Sequence, residues 1–305
     1  MSGLIGRKLA EAALVGLIVS FATFLLVNWT GDLAISLGGM QASKEELVKL
    51  RAAYGLDRPL LVQYVDWARR ALSGDLGRSF FSQEDVLPLI LSRLAVTSRL
   101  ALAALLVGIA TAAPLGILAA IYQGKWIDHL AQTIAALSQA TPSFWSGLLL
   151  ILFFGVNLKI LPISGNDDWT GYIMPALALG WFVFPIMLRL LRAGMVEALS
   201  ADYVRTARAK GLDPKRIVLK HALRNAVLPV VSLAAVQFGQ LLGGSVVVEA
   251  VFALPGVGQL AWNSIQRADF PVVQAVVLLV AMIFVVVNLI ADIINGVLDP
   301  RIRRA

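Results

Sequence analysis

The sequence predicts an all-α integral membrane protein: six transmembrane helices, both termini cytoplasmic, and a helical extracytoplasmic insertion between helices 1 and 2. Three observations lead there. The 305 residues are 58% hydrophobic and only 15% charged, with a mean hydropathy of +0.79; soluble domains run nearer ~45–50% apolar and ~25% charged. Six stretches reach the ~20 mostly apolar residues that a spanning helix needs: Leu9–Val27, Leu100–Tyr122, Leu130–Val156, Gly171–Leu191, Ala226–Val248 and Val272–Val297. The basic residues, finally, are spread unevenly over the segments between them.

That unevenness orients the bundle. With the N-terminus inside, the inner segments hold Arg7, Lys8, Lys125, nine Lys/Arg between Arg189 and Arg224, and Arg301, Arg303 and Arg304. The two short outer loops hold only Lys159 and Arg267, which is the positive-inside asymmetry. The long segment from Thr30 to Arg93 carries eight basic and eight acidic residues, and long translocated segments are largely exempt from that rule. The net charge of +7 is thereby explained by topology, and nucleic acid is not an expected partner; membrane lipid is. Cysteine is absent, which excludes disulfides, thiolate metal sites and cysteine nucleophiles.

The first span starts after Arg7 and Lys8, as a secretory signal would. Its apolar run exceeds the roughly 7–15 residues of a signal core and exits through Asn28, Trp29 and Thr30 without a small-residue cleavage site, so it reads as an uncleaved helix. Pro114, Pro142, Pro175 and Pro185 fall inside spans, where each removes a backbone donor and kinks its helix. Breaks of that kind persist in lipid where neighbouring helices or a water-filled cavity satisfy the freed groups. Kinked spans suit a pathway better than an anchor.

The chain thus divides into residues 1–29 (tail and helix 1), 30–93 (the outer insertion) and 94–305 (the membrane core). In the insertion, Ser43-Lys44-Glu45-Glu46 is a capping box opening a helix that places Leu47, Leu50 and Tyr54 on one face and stops at Gly55. A second helix is expected from Pro59, a favoured first-turn residue, to Gly74, with Leu61, Tyr64, Ala68 and Leu72 recurring at helical spacing. The insertion is either a lid or docking surface for an external partner, or a fold-stabilising cap.

Between Arg189 and Arg224 nine basic residues face three acidic ones, a net +6. Ser200 can cap a helix with Asp202 in its first turn and Arg205, Arg208 and Lys210 later, in the sense the helix dipole favours. Gly211 provides a left-handed stop, and Asp213-Pro214 restarts a second helix with cap and first-turn proline in order. Tyr203, Ala207 and Gly211 recur at i, i+4 and i+8, an aromatic beside nearly bare backbone. A basic loop near anionic headgroups explains the charge, but not the paired caps, the alanines or the glycine turn.

These residues resemble a known family. Asp202-Tyr203-Val204-Arg205-Thr206-Ala207-Arg208-Ala209-Lys210-Gly211, followed by His221-Ala222-Leu223-Arg224-Asn225-Ala226-Val227-Leu228-Pro229, is similar to the EAA loop of ABC-importer permeases, in the wording of the dipeptide/oligopeptide/nickel branch. Tyr54-Gly55-Leu56-Asp57-Arg58-Pro59, Gly74-Asp75-Leu76-Gly77-Arg78-Ser79, and Glu249-Ala250-Val251-Phe252 through Pro255-Gly256-Val257-Gly258 match the same branch. Two departures stand out. Arg205 takes the place of the general pattern's glutamate, as is usual in the peptide branch, and Thr30-Gly31-Asp32-Leu33 stands where the family tends to have a P-G-D-P stretch.

The resemblance implies a binding-protein-dependent permease in a bacterial or archaeal cytoplasmic membrane, with a coupling loop over 193–224. Its short helix would seat in a groove on a cytoplasmic ATPase: Arg205, Thr206, Ala207, Ala209 and Gly211 in contact, flanked by Asp202, Tyr203, Arg208 and Lys210. It further implies a second, homologous permease, two ATPases and an extracytoplasmic solute-binding protein. The expected cargo is a di- or oligopeptide, with nickel chelates, glutathione and opine-like compounds as alternatives. This chain has no G-x-x-x-x-G-K-[ST] loop, since its Gly124-Lys125 is followed by Trp126. It is therefore expected to bind no cofactor or metal and to catalyse nothing, with ATP used by its partners.

Gln237, Gln240 and Gly244, with Gly243 adjacent, recur at i, i+3 and i+7 on the fifth span, and Asn288, Asp292 and Asn295 on the sixth. They either line the path or hold helices together through hydrogen bonds and small-residue packing. An ion-coupled carrier would keep ionisable groups at membrane depth, where this chain has little beyond Arg99 and Asp292. An intramembrane enzyme is disfavoured because His129 and His221 lack a second ligand at metal spacing and no G-x-S-x-G elbow appears. Topology is directly testable: reporters fused at Asn166 and at Gly211 should report opposite sides of the membrane. The same side for both would overturn the six-span arrangement.

Overall fold

The structure is a computed structural model describing residues 2–30, 34–35, 42–165 and 168–298. Gly31-Asp32-Leu33, Asn166 and the Arg301–Arg304 tail lie outside the described residues, as do the side chains of Arg7, Lys8, Tyr54, Asp292 and Asn295. Every described element is helical: α1 Ser2–Thr30, α2 Lys44–Tyr54, α3 Leu60–Leu72, α4 Val86–Ile121, α5 Trp126–Ala140, α6 Ser143–Leu150, α7 Ile173–Ser200, α8 Asp202–Ala209, α9 Pro214–Arg216, α10 Leu223–Gly244, α11 Val246–Val251, α12 Val257–Gln266 and α13 Phe270–Leu298. Among the described residues, five helical stretches are long and apolar enough to cross a membrane, and a sixth crossing counts α5 and α6 together.

That sixth case bears out the expected kink at Pro142 and gives its size. Leu130–Val156 reads as one span, but the chain breaks at Thr141-Pro142 and turns by 98° between Trp126–Ala140 and Ser143–Asn157. Pro142 cannot donate to the helix behind it, and α6 restarts with Pro142 in the capping position. The proline marks the place of the bend in the sequence; the hydropathy of the run is unaffected by it, so its angle is not legible there.

Two compact units are present, Met1–Thr97 with Pro255–Val286, and Ser98–Leu254 with Val287–Ala305. In the first, the capping box forms as predicted: the Ser43 hydroxyl accepts from Glu46 N–H at 3.2 Å, and the Glu46 carboxylate accepts from Ser43 N–H at 2.8 Å. The hydrogen bond from Ser43 N–H holds the Glu46 carboxyl below its ordinary pKa. Gly55 ends the helix at φ 66°. The second insertion helix begins at Leu60, with Pro59 as its N-cap, and its packing face is only in part the expected one, keeping Tyr64 and Ala68 and losing Leu61 and Leu72. Leu61 and Leu72 are turned outward, at 66% and 90% exposed. Tyr64, from the expected face, packs edge-on against Phe21 and Phe24 of α1 at 5.1 and 5.6 Å, the unexpected Trp67 lies 6.4 Å from Phe24, and the Tyr64 hydroxyl shares a 2.9 Å hydrogen bond with Ser20. Aromatic area outweighs aliphatic spacing here.

The two ends of this unit's sequence are joined by a polar knot. Asp269, only 3% exposed, accepts from the Ser79 hydroxyl and, at 3.0 Å, from Phe80 N–H. The Ser79 oxygen itself accepts from Ser82 N–H at 2.9 Å. Val257 N–H donates to the Thr97 hydroxyl at 2.9 Å. Around these bonds Val86, Ile90, Val257, Val272, Ala275 and Val276 form a buried cluster, with Leu76 packed on it. Two of the family-like motifs, Gly74–Ser79 and Pro255–Gly258, are therefore structural joints.

The second unit is built on α7, whose buried face runs from Met174 to Ala198. Glycines let its neighbours come close. A Cβ at Gly180 would lie 2.7 Å from Val107 Cγ1 and 2.9 Å from the Ala104 carbonyl, and one at Gly108 would lie 2.9 Å from Val183. Gly194 faces Ala226 in the same way, at 3.2–3.3 Å. The Ser138 hydroxyl of α5 donates to the Trp181 carbonyl. Near the other end of α5, Arg192 grips Asp128 with two 2.6 Å hydrogen bonds, and Asp128 also accepts from Gly124 N–H at 2.9 Å.

Gly180→Val should overpack the α4–α7 contact, at about 1–3 kcal/mol, and Arg192→Ala should strand a buried carboxylate, at about 3–5 kcal/mol. Both should lower the thermal midpoint of the detergent-solubilised chain, whereas Leu72→Ala should leave it unchanged; midpoints equal to wild type would refute the packing account. In the insertion, the stabilisation from Glu46 is present above the unfolded-state glutamate pKa and lost as pH falls through the depressed folded value. Protection factors across Lys44–Tyr54, read by amide exchange, should fall only in that acid range, and at all pH values in Ser43→Ala.

Candidate functional site

The predicted coupling loop is a self-packed helix–turn–helix. α7 stops at Ser200, and Ala201 stands at the N-cap of α8 in extended conformation with no side-chain bond. The expected Ser200 cap is therefore corrected: its hydroxyl donates back to the Glu197 carbonyl at 2.8 Å, finishing the preceding helix. The break costs α8 its cap, and Asp202 in the first turn and Arg208 in the last remain to complement the dipole.

The second half forms as read. Gly211 adopts φ 73°, the Asp213 carboxylate accepts from Arg216 N–H at 3.3 Å, and Pro214 occupies the first turn. The backbone then continues through a π-helical stretch, Ile217–Ala222, into α10. That widened turn, which the sequence reading did not anticipate, carries His221 and Ala222 of the second family-like motif.

Inside the loop, Val204, Ala207 and Ile217 are buried in one small cluster under Leu212. This corrects the expected Tyr203–Ala207–Gly211 stripe. Ala207 points into the loop's own core, 8% exposed, while Tyr203 is 40% exposed and its hydroxyl accepts from Asn225 Nδ2 at 3.0 Å. The outward residues of the predicted contact set are Asp202, Tyr203, Arg205, Thr206, Arg208, Ala209, Lys210 and Gly211. Arg205 lies 3.5 Å from Asp202, both well exposed, a pairing worth little in water. Val204 and Ala207, three residues apart, anchor α8 so that its opposite face is held out rigidly.

Of the predicted path residues, Gln237, Gln240 and Gly244 line one cavity of ≈ 290 Å³ together with Ser143, Phe182 and Leu241. Gln237 is buried at 3% exposed, and Gln240 is open. Gly243 and Asn288 are not on its wall, and the Asp292 side chain lies outside the described residues. Sequence reading missed Ser143, which the bend at Pro142 brings to the cavity. It also missed the Asp128–Arg192 clamp, whose partners sit 64 positions apart and whose only signal was a charge of each sign near the ends of two apolar runs.

The chain is similar to known proteins over most of its length. Residues 112–304 match the family described as "Binding-protein-dependent transport system inner membrane component", and residues 1–101 its N-terminal counterpart, "Binding-prot-dependent transport system membrane comp, N-term". The glutathione transport system permease protein GsiC of Escherichia coli strain K12 is 42% identical over 287 residues, covering 94% of each chain. That of Salmonella typhimurium strain LT2 is 41% identical over 288 residues, again covering 94% of each. Among solved structures, an inward-facing MetNI methionine ABC transporter chain superposes with a TM-score of 0.57 at 19% identity, over 69% of this chain and 96% of that one. An amino acid ABC transporter crystallised with histidines gives 0.51 at 20% identity, over 70% and 94%. These two neighbours speak for the fold alone. The chain belongs to the binding-protein-dependent ABC-importer permeases of the dipeptide/oligopeptide branch, and is a multi-pass inner-membrane permease subunit.

Proposed function

We propose that this subunit imports short peptides, glutathione among them, across a bacterial or archaeal cytoplasmic membrane. The observation that carries the cargo class is the 42% identity with a glutathione transport permease over 94% of both chains. Glutathione stands among the alternative cargoes, and the identity favours it over the expected di- or oligopeptide; as a tripeptide it is of related chemistry. An extracytoplasmic binding protein delivers the solute, a second related permease completes the path, and two ATPases drive it. Both termini are cytoplasmic, residues 30–93 face outward, and α5 and α6 together make one of six spans. Of the predicted path residues, Gln237, Gln240 and Gly244 have the support of a shared cavity.

In this reading the work arrives through α8. Closure of the ATPases around ATP moves their grooves, and a helix anchored by Val204 and Ala207 transmits the displacement to the spans as a rigid-body shift. This chain holds no ATP itself. The exposed Arg205, Thr206 and Ala209 form the contact, with Lys210 beside them. Ala207 and Gly211 contribute through the loop's shape, because Ala207 packs inward and Gly211 needs a left-handed backbone.

Arg205→Glu and Ala209→Glu should each cut ATP-driven uptake of labelled glutathione at least tenfold in proteoliposomes of the assembled importer, at unchanged permease content. Uptake at the wild-type rate in both would remove the coupling assignment. Uptake of neither glutathione nor dipeptides by the wild type would remove the cargo.

A further inference from the structure

A cavity of ≈ 500 Å³ lies beneath the insertion helices, walled by the end of α1, the α2–α3 turn, α3, the Asp75–Arg78 turn and the start of α13. Nothing in the coupling mechanism uses it. Its size falls within the ~300–1,000 Å³ of small-molecule sites, and its lining is built in two layers. The inner layer is apolar and amide: Trp67 and Phe24 stand beside Gln274, which is 6% exposed and whose side-chain nitrogen is buried with no hydrogen-bond partner. A buried amide donor without a partner is destabilising, a deficit that an incoming carbonyl oxygen would remove.

The outer layer carries charge of both signs. Arg58 and Asp66 are 3.5 Å apart and about half exposed, a loose pair that a ligand can open. Asp75 accepts from Gly77 N–H through one oxygen, at 2.9 Å, leaving the other available. Arg70 is exposed and makes no ion pair among the described residues. Guanidinium groups present a planar fork matched to a carboxylate, and the aspartates suit an ammonium.

We propose that this cavity binds a short free peptide: its terminal carboxylate on Arg70 and Arg58, its ammonium on Asp66 and Asp75, and a backbone carbonyl on the Gln274 amide. The permease would thus carry a peptide site of its own in the insertion, made from elements other than those around Gln237. The cargo class rests on the import reading above; the site itself rests on the cavity.

Full-length permease in phosphatidylcholine nanodiscs should bind tri-alanine saturably by calorimetry, and bind the doubly capped N-acetyl-tri-alanine amide at least tenfold more weakly. Arg70→Ala, on the exposed rim, and Gln274→Leu, of similar volume, should each weaken tri-alanine at least tenfold, while Leu72→Ala should not. No saturable binding, equal affinity for the two peptides, or wild-type affinity in both cavity variants would overturn the proposal. So would loss of the signal when phosphatidylglycerol is included, which would give the site to a lipid headgroup. The two readings fail separately: peptide uptake by the assembled importer without binding here removes only the cavity site, and binding without any peptide uptake removes only the import reading.

Discussion

How closely helices can approach α7 governs the second unit. In hydrocarbon there is no hydrophobic drive between helices, so association depends on contact area and on the few polar groups that find partners. Gly108 and Gly180 bring α4 against α7 at distances no side chain would tolerate, and Gly194 lets α10 approach through Ala226 at a tight 3.2–3.3 Å. The Asp128–Arg192 clamp then fixes α5 on the same helix. α5 is thereby held at both ends, by the clamp and by the Ser138 hydroxyl on the Trp181 carbonyl, which leaves the bend at Pro142 to be absorbed by α6.

The coupling loop continues that logic. α8 follows directly from α7, and the small cluster of Val204, Ala207 and Ile217 folds it back onto the start of the helix that leads to α10. In the proposed coupling, a displacement applied to the outer face of α8 would reach two spans packed glycine against backbone. The interior of the loop is Val204, Ala207 and Ile217, while Arg205, Thr206, Ala209 and Lys210 are exposed, the face to which we assign the partner contact. The two sets alternate along eight residues, which is why a substitution's effect depends on which face it lands on.

Much of this was legible beforehand because it is local. The Ser43–Glu46 box, the Gly55 and Gly211 stops and the Asp213-Pro214 restart are each decided within four residues by backbone sterics and one side-chain bond. The failures share a cause as well. Ser200 looked like a cap, but bonding back to Glu197 satisfies it equally well. Leu61 and Leu72 had helical spacing, but Tyr64 and Trp67 offered more area to α1. Ala207 looked outward because nothing in its neighbours shows that Ile217 returns to cover it.

Composition, charge placement and local caps determined by themselves that the chain is helical, membrane-spanning and equipped with a capped basic loop, since each depends on residues near one another or on bulk transfer free energy. Only the tertiary structure decided that Ser79 meets Asp269 across 190 positions, that the third apolar run bends by as much as 98°, and that the Gln274 amide nitrogen lies unpaired in the lining of a charged cavity. Those outcomes depend on which distant surfaces meet, and an apolar run in a membrane protein is hydrophobic on every side, so its periodicity does not say which face meets protein and which meets lipid.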